Sequence, residues 1–102
     1  MKEKELYYIY ILRCENSSLY TGITKNIERR FEEHKKGKGA KYTRAKKVEK
    51  LELYFNCYGR SDASKIECFI KKLKKEQKEE ILLNFEGFKE VIEKKLNIKI
   101  KK

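Results

Sequence analysis

The sequence predicts an α+β fold, in which a three-stranded antiparallel sheet is flanked by helices in the order β-β-α-β-α-α. Two tyrosine-rich apolar segments near the N-terminus are typical of a strand hairpin, and later segments carry the periodicity of amphipathic helices. The chain has 102 residues, of which 39% are hydrophobic, and it contains no proline. This length supports one modest core and excludes two domains or a deeply buried large cofactor.

The hairpin is expected at the N-terminal end. Leu6–Leu12 is an apolar run of seven residues, rich in aromatic and β-branched side chains, which favours a strand. Glu15–Ser18 has the composition of a turn, and Leu19–Ile23 favours a second strand. The apolar run is too short to span a membrane and lacks a signal-peptide cleavage site, so we expect a cytoplasmic protein.

The first helix is expected to begin at Ile27, with Asn26 as its cap, and to end near Gly37. Arg30 and His34 are four residues apart, so they share one stripe of this helix. The stripe lies beside the apolar face, which would place both side chains at the rim of the core.

The third strand is expected over Leu51–Tyr58, followed by a helix that Ser61 caps. Glu67 borders the apolar stripe of that helix and does not lie on the opposite, solvated face. The stripe itself consists of Ala63, Ile66, Ile70 and Leu73.

The C-terminal part is expected to be helical. Helices are predicted over Glu76–Asn84 and Phe88–Leu96, and Asn97–Lys102 is expected to fray. On this basis residues 1–85 form the main domain, and residues 86–102 form a helical extension with a basic tail.

The charge balance indicates a polyanionic partner, with an acidic membrane surface as the second candidate. The chain carries 27 Lys and Arg residues against 16 Asp and Glu residues, a formal net charge of +11. Residues 35–47 hold seven basic residues and no acid, and we expect them to form an exposed loop that contacts nucleic acid. The alternative is a mobile, solvated lysine loop without a ligand. The candidate binding residues are Lys35, Lys36, Lys38, Lys41, Tyr42 and Arg44.

A structural zinc site is excluded by the pattern of cysteines and histidines. The chain has three cysteines, Cys14, Cys57 and Cys68, none of them in C-x-x-C spacing, and one histidine. A structural zinc normally needs four such ligands at short spacings. We therefore expect all three cysteines to be reduced, small and partly buried.

The order of five polar residues resembles the GIY-YIG nuclease superfamily. The tripeptide ending in Tyr10 is followed ten residues later by one beginning with Tyr20, and then by Arg30, His34 and a helical Glu67. The segment GKGAKYTR, residues 37–44, is similar to the small stand-alone bacterial branch. The superfamily also includes the nuclease domain of the bacterial excision-repair incision subunit. The resemblance covers about residues 6–80.

The resemblance implies a DNA endonuclease that depends on Mg²⁺ or Mn²⁺, with DNA repair as the analogous pathway. Tyr10 and Tyr20 would be its motif tyrosines, and Glu67 would bind the metal. Arg30 would contact the scissile phosphate, since a guanidinium can donate two hydrogen bonds to it, and His34 would orient or deprotonate water.

A one-metal mechanism suits the composition, because a two-metal nuclease normally clusters several carboxylates and this chain has a single Asp. Tyr10 is our first choice for the general base, with Tyr20 positioning the water; the reverse assignment stays open.

Two departures from the family pattern keep other functions open. Tyr8 stands where the first motif carries glycine, and the asparagine that larger members carry after the glutamate has no match. The main alternative is a non-catalytic module that binds DNA or RNA on a nuclease-like fold. A lysine-rich protein with an acidic protein partner is the third candidate. The sequence makes no prediction of oligomeric state.

Overall fold

The central strand of the sheet, β1 (Leu6–Cys14), is paired along both edges. In the computed structural model, which describes residues 4–102, β1 is antiparallel to β2 (Leu19–Thr24) and to β3 (Val48–Tyr58). The strand order is therefore β2-β1-β3. The predicted α+β class and three-stranded antiparallel sheet are confirmed, with β3 beginning at Val48 and not at Leu51.

Within residues 4–102, five helices connect and cover the strands, and the observed order is β-β-α-α-β-α-α-α. The predicted order omitted the short helix before β3, whereas the last helix was predicted separately over Phe88–Leu96 and begins at Phe85. The helices are α1 (Ile27–Lys35), α2 (Lys41–Lys46), α3 (Arg60–Lys71), α4 (Lys75–Leu83) and α5 (Phe85–Leu96).

The prediction of a loop over residues 35–47 was wrong, because α2 lies within it. The backbone N–H of Arg44 donates to the carbonyl of Ala40, and that of Lys47 donates to Thr43. No glycine or proline falls between Ala40 and Lys47, so nothing in the sequence prevents these turns. The segment is a compact helical turn whose charged side chains are exposed.

The predicted cap of α1 is confirmed, whereas the predicted cap of α3 is wrong. The Asn26 side chain accepts a hydrogen bond from the backbone of Arg29, as expected for the cap of α1. Ser61, however, lies inside the first turn of α3, and Gly59 is its cap. Gly59 has a φ of 92°, a conformation that glycine adopts without steric cost.

The main core lies between one face of the sheet and the C-terminal helices. Ile9 and Phe55 of the sheet pack with Ile66 of α3 and Phe88 of α5 in one buried cluster. Burying a side chain of this size contributes about 1.5–3 kcal/mol. Because strand side chains alternate, Tyr10 projects from the opposite face of the sheet.

The C-terminal residues are ordered against the sheet, so the prediction that Asn97–Lys102 frays was wrong. Ile98 and Ile100 are buried in the same core cluster. Lys101 exchanges two backbone hydrogen bonds with Asn56 of β3, at 2.8 and 3.0 Å. The apolar alternation of this short segment explains why it packs as an extended strand-like piece.

A partly buried cluster of ion pairs joins α4 to the sheet. The Arg13 guanidinium donates two hydrogen bonds to Glu79 of α4, at 2.5 and 2.8 Å, and a third to Glu52 of β3 at 2.8 Å. This bidentate geometry fixes the middle of α4 beside the end of β1.

All three cysteines are free, in agreement with the expectation that they are reduced. Cys14 and Cys57 are buried, whereas Cys68 is exposed and not partly buried as expected. Among residues 4–102, no helix has the length and apolar character needed to cross a membrane.

Candidate active site

The two motif tyrosines project from one face of the hairpin. Tyr10 lies opposite Gly22 in the pairing of β1 with β2, and Tyr20 lies opposite Leu12. The ring centres of the tyrosines are 6.5 Å apart. A Cβ at Gly22 would overlap the hydroxyl end of Tyr10, so the glycine of the YTG motif leaves the space that the phenol occupies.

His34 joins the tyrosines from α1. Its Nε2 atom lies 2.8 Å from the Tyr10 hydroxyl, and its ring centre lies 5.6 Å from that of Tyr10 and 5.4 Å from that of Tyr20. The side chain is only 1% exposed. The sequence placed His34 at the rim of the core, but the structure buries it beneath the segment that follows α1.

The segment from Gly39 to Thr43 contacts the other side of the imidazole, and neither Gly39 nor Thr43 was among the predicted site residues. The Nδ1 atom of His34 is 2.7 Å from the Thr43 hydroxyl, which also lies 2.9 Å from the carbonyl of Ala40. A Cβ at Gly39 would overlap Nδ1. The non-basic residues of GKGAKYTR were the sequence signal that could have identified Gly39 and Thr43, because a loop that only contributes positive charge does not need them.

Tyr42 supports Tyr20 from α2. The two rings are stacked, with centres 6.0 Å apart and planes 18° apart, and the Tyr42 hydroxyl donates to Ser18 at 2.6 Å. The ring is still 39% exposed. Tyr42 was predicted to contact nucleic acid, and the structure gives it a packing partner within the candidate site.

Arg30 lies at the open side of the Tyr10–His34 pair. Its Nη1 atom donates to Glu33 at 3.1 Å, and its side chain is 32% exposed. Burial raises the pKa of Tyr10 to about 12, while the Arg30 guanidinium acts in the opposite direction. Burial also lowers the pKa of His34 to about 4, and the positive charge of Arg30 adds to that decrease. Tyr10 and His34 are therefore both neutral at pH 7.

Glu67 reaches the same side of the molecule from α3. Its negative charge contributes to the raised pKa of Tyr10. Lys71 links it to the second tyrosine, because the Lys71 ammonium lies 3.3 Å from the Glu67 carboxylate and 5.6 Å from the ring centre of Tyr20. The structure thus brings Tyr10, Tyr20, His34 and Arg30 together, and Lys71 links Glu67 to this group.

A surface hollow of about 290 Å³ opens beside Tyr20 at the free edge of β2. Its lining combines strand, α2, α3 and α4 residues: Leu19, Tyr20, Thr21, Tyr42, Lys71 and Lys78. A larger hollow of about 610 Å³ lies among α3, α4 and α5 and contains none of the five predicted site residues. The smaller hollow is lined by one of the five, Tyr20.

The basic residues expected to bind nucleic acid are exposed. Lys35 forms an ion pair with Glu32 at 3.4 Å, in the last turn of α1. Lys41 and Arg44 lie on α2, next to the residues that contact His34 and Tyr20. The exposed basic set is Lys35, Lys36, Lys38, Lys41 and Arg44.

Comparison with known proteins assigns the fold. Residues 6–80 match the family model described as the GIY-YIG catalytic domain. The chain belongs to the GIY-YIG family. Its relatives include a UPF0213 protein of Fusobacterium nucleatum, 49% identical over 96 residues, which cover 94% of this chain and 96% of that protein. A UPF0213 protein of Clostridium perfringens is 41% identical over 92 residues, covering 89% and 98%.

Two solution NMR structures share the GIY-YIG fold of this chain. A UPF0213 protein from Bacillus halodurans has 36% identity and a TM-score of 0.50, over 76% of this chain and 82% of that one. A protein from E. faecalis has 41% identity and a TM-score of 0.53, over 84% and 92%.

The departure in the first GIY-YIG motif has a packing explanation. Tyr8, which stands at the glycine position, meets the ring of Tyr54 on β3 edge to face, with centres 6.0 Å apart. The extra side chain is therefore accommodated against the neighbouring strand and does not displace Tyr10.

Proposed function

We propose that this protein is a metal-dependent endonuclease that hydrolyses phosphodiester bonds in DNA through a one-metal site. The observation that supports this most strongly is that Tyr10, Tyr20 and His34 are packed together, with Arg30 and Glu67 at the open side. Independent packing needs would rarely bring these five residue types to one place. RNA is the alternative substrate.

Glu67 is the proposed ligand of Mg²⁺ or Mn²⁺. No three His, Cys, Asp or Glu side chains converge within residues 4–102, so a site with several protein ligands does not fit. One carboxylate fits a hard cation that keeps water and phosphate oxygens as its other ligands. When bound, such a cation would stabilise negative charge on the phosphate. Lys71, now paired with Glu67, would shift toward the phosphate side.

Arg30 is the proposed phosphate contact. Its one hydrogen bond to Glu33 leaves further N–H donors of the guanidinium for two phosphate oxygens. These donors are held on α1 before the substrate arrives, so little reorganisation is needed as charge develops on the phosphate.

Tyr20 is the proposed general base, the reverse of the sequence-based first choice. Tyr10 is 2% exposed, is bonded to His34 and has a pKa of about 12, all of which oppose its use as a base. Tyr20 instead lines the hollow, beside the Lys71 ammonium. As the base, Tyr20 would act as a phenolate that takes the proton from the attacking water and becomes a phenol, and the Lys71 ammonium would offset the negative charge of that phenolate.

The DNA backbone is proposed to follow the basic surface of α1 and α2 into the hollow. Lys41 and Arg44 would bind phosphates on one side, and Lys71 and Lys78 would bind on the other. Residues 86–102 are proposed to serve as an extension that completes the core of the nuclease domain, residues 1–85. By analogy with the family, the proposed setting is DNA repair in the cytoplasm.

The test is cleavage of labelled duplex and branched DNA in Mg²⁺ or Mn²⁺. We expect nicking by the wild type and a loss of at least about 100-fold in Glu67→Gln and Arg30→Ala. Glu90→Gln and Lys94→Ala, which alter exposed residues of α5, should cleave like the wild type. DNA left intact by the wild type with either metal would reject the proposal.

A non-catalytic binding module is the second candidate, and the ion pair between Lys71 and Glu67 favours it, since the carboxylate already has a cationic partner. That function predicts salt-dependent DNA binding that is the same with and without metal, and unchanged in Glu67→Gln.

A further inference from the structure

We propose that Thr43 is a positioning residue that sets the tautomer of His34 and thereby the direction of the Tyr10 hydroxyl. The tautomer is a property of the protein alone. Only the expected effect on cleavage rests on the proposed function.

Tyr10, His34, Thr43 and Ala40 form a series of hydrogen bonds, and the direction of each bond follows from the last partner, the carbonyl of Ala40. The carbonyl of Ala40 can only accept, so the Thr43 hydroxyl, 2.9 Å away, donates its single hydrogen there. The same oxygen lies 2.7 Å from Nδ1 of His34 and must then accept. His34 therefore carries its proton on Nδ1.

The direction of the hydrogen bond between His34 and Tyr10 is then determined. With the proton on Nδ1, the Nε2 atom of neutral His34 is an acceptor. The Tyr10 hydroxyl, 2.8 Å away, donates to it. The oxygen lone pairs of Tyr10 are left facing Arg30, which is close enough to oppose the effect of burial on the pKa of that phenol.

The opposite tautomer would create two conflicts. A proton on Nε2 would turn the Tyr10 hydrogen toward the Arg30 guanidinium, so that two donors would face each other. It would also require Thr43 to donate to Nδ1, so that the carbonyl of Ala40 would keep only the backbone N–H of Arg44 as its donor. Thr43 and His34 are each 1% exposed, so water does not relieve these conflicts cheaply.

The segment from Gly39 to Thr43 holds the imidazole of His34 in the position that these hydrogen bonds require. Gly39 lies against Nδ1 so closely that a Cβ would overlap it. The consequence for the site is that Tyr10 presents only an acceptor to the open side. A water molecule or an N–H donor at that position is therefore bound through its hydrogen, which orients it.

The tautomer can be measured directly, because His34 is the only histidine in the chain. Long-range ¹H–¹⁵N correlation spectra at pH 7 should show Nδ1 bonded to hydrogen and Nε2 as an unprotonated acceptor. The matched variants are Thr43→Ser, which keeps the hydroxyl, and Thr43→Val, which keeps the shape and removes it. Backbone spectra of both variants establish that they are folded.

The expected result is an Nδ1–H tautomer in the wild type and in Thr43→Ser, and a mixed or Nε2–H population in Thr43→Val. On DNA with Mg²⁺ or Mn²⁺, we expect Thr43→Val to lower kcat on the order of 10- to 100-fold with KM nearly unchanged. Thr43→Ser should restore most of that loss.

Two results would overturn the proposal: an Nε2–H tautomer in the wild type, or a folded Thr43→Val protein that keeps the wild-type tautomer. A Thr43→Val protein with the altered tautomer and full cleavage would reject the positioning role in catalysis. A wild type that cleaves no DNA rejects the proposed function, and the spectra then still decide whether Thr43 sets the tautomer.

Discussion

Gly22 lies against the hydroxyl end of the Tyr10 phenol, across the pairing of β1 with β2. We predict that Gly22→Ala displaces the phenol and weakens its bond to His34. Introducing one methyl group into a packed site costs about 1–3 kcal/mol. Urea denaturation measures this loss, and DNA cleavage should fall with it.

A double-mutant cycle identifies Tyr10 as the cause. The costs of Gly22→Ala and Tyr10→Ala should be strongly non-additive, because removing the ring also removes the overlap. Additive costs would show that Gly22 is required for another reason.

Gly39 and Gly37 provide a matched pair beside His34. Gly39→Ala should shift the imidazole resonances and reduce cleavage, because its methyl group would overlap the ring. Gly37 has open space around it but a φ of 74°, so Gly37→Ala should cost about 1 kcal/mol of backbone strain and leave the imidazole signals unchanged. Equal spectral effects in the two variants would contradict this assignment.

The buried histidine makes folding stability depend on pH. An unfolded chain takes up a proton on His34 near pH 6.5, whereas the folded chain does so only near pH 4. The unfolded state therefore binds more protons between these values, and stability falls as the pH is lowered from 7 to 4. The difference amounts to about 3 kcal/mol.

The free energy of unfolding at pH 7 and pH 4 measures this loss in the wild type and in His34→Gln. Glu79 contributes in the same direction, since Arg13 lowers its pKa, so the quantity to compare is the difference between the two proteins. Parallel pH profiles would mean that His34 is not the group responsible.

The charges of α2 should contribute to DNA affinity. Lys41→Ala and Arg44→Ala are each predicted to weaken DNA binding at all sequences and to reduce the slope of log K against log salt by about 0.9. Lys94→Ala on α5 removes the same charge at a different surface and should change the slope little. Fluorescence anisotropy over a salt series tests this, and identical slopes for all three variants would indicate a general charge effect.

The ion cluster at Arg13 should stabilise the packing of α4. Glu79→Gln leaves the partly buried guanidinium with a weaker partner, and we expect a loss of about 1 kcal/mol, given the partial exposure of the pair. Thermal unfolding measures it. Glu76→Gln, one turn earlier on α4, is the control, and the same decrease in Tm in both variants would contradict a specific role for Glu79.

The fold was largely predictable because its strands and long helices have clear periodicity. The hairpin and the cap at Asn26 follow from local sequence. The short helix α2 could not be predicted, because three of its six residues are basic and what holds the helix in place is the burial of Thr43 against His34. The C-terminal segment was missed for a similar reason, since Ile98 and Ile100 are stabilised only by contacts with distant parts of the chain.

The members of the candidate site were predictable from their spacing, but their environments were not. The order of residue types along the chain, which resembles the family pattern, indicated Tyr10, Tyr20, Arg30, His34 and Glu67. Only burial distinguishes the environment of Tyr10 from that of Tyr20. Burial depends on how the whole chain packs, which the residue pattern does not show. In the same way, the basic character of residues 35–47 concealed the uncharged residues that contact His34.

The bridge between Asn56 and Lys101 has a consequence for self-association. A bare outer strand offers unpaired amides and carbonyls to neighbouring molecules, a common start of edge-to-edge polymerisation. The C-terminal strand-like segment occupies part of that edge on β3. The other edge of the sheet opens toward a hollow lined by Lys71 and Lys78, whose positive charges repel a second copy. The proposed DNA path would then run along a sheet edge whose positive charges oppose aggregation through that edge.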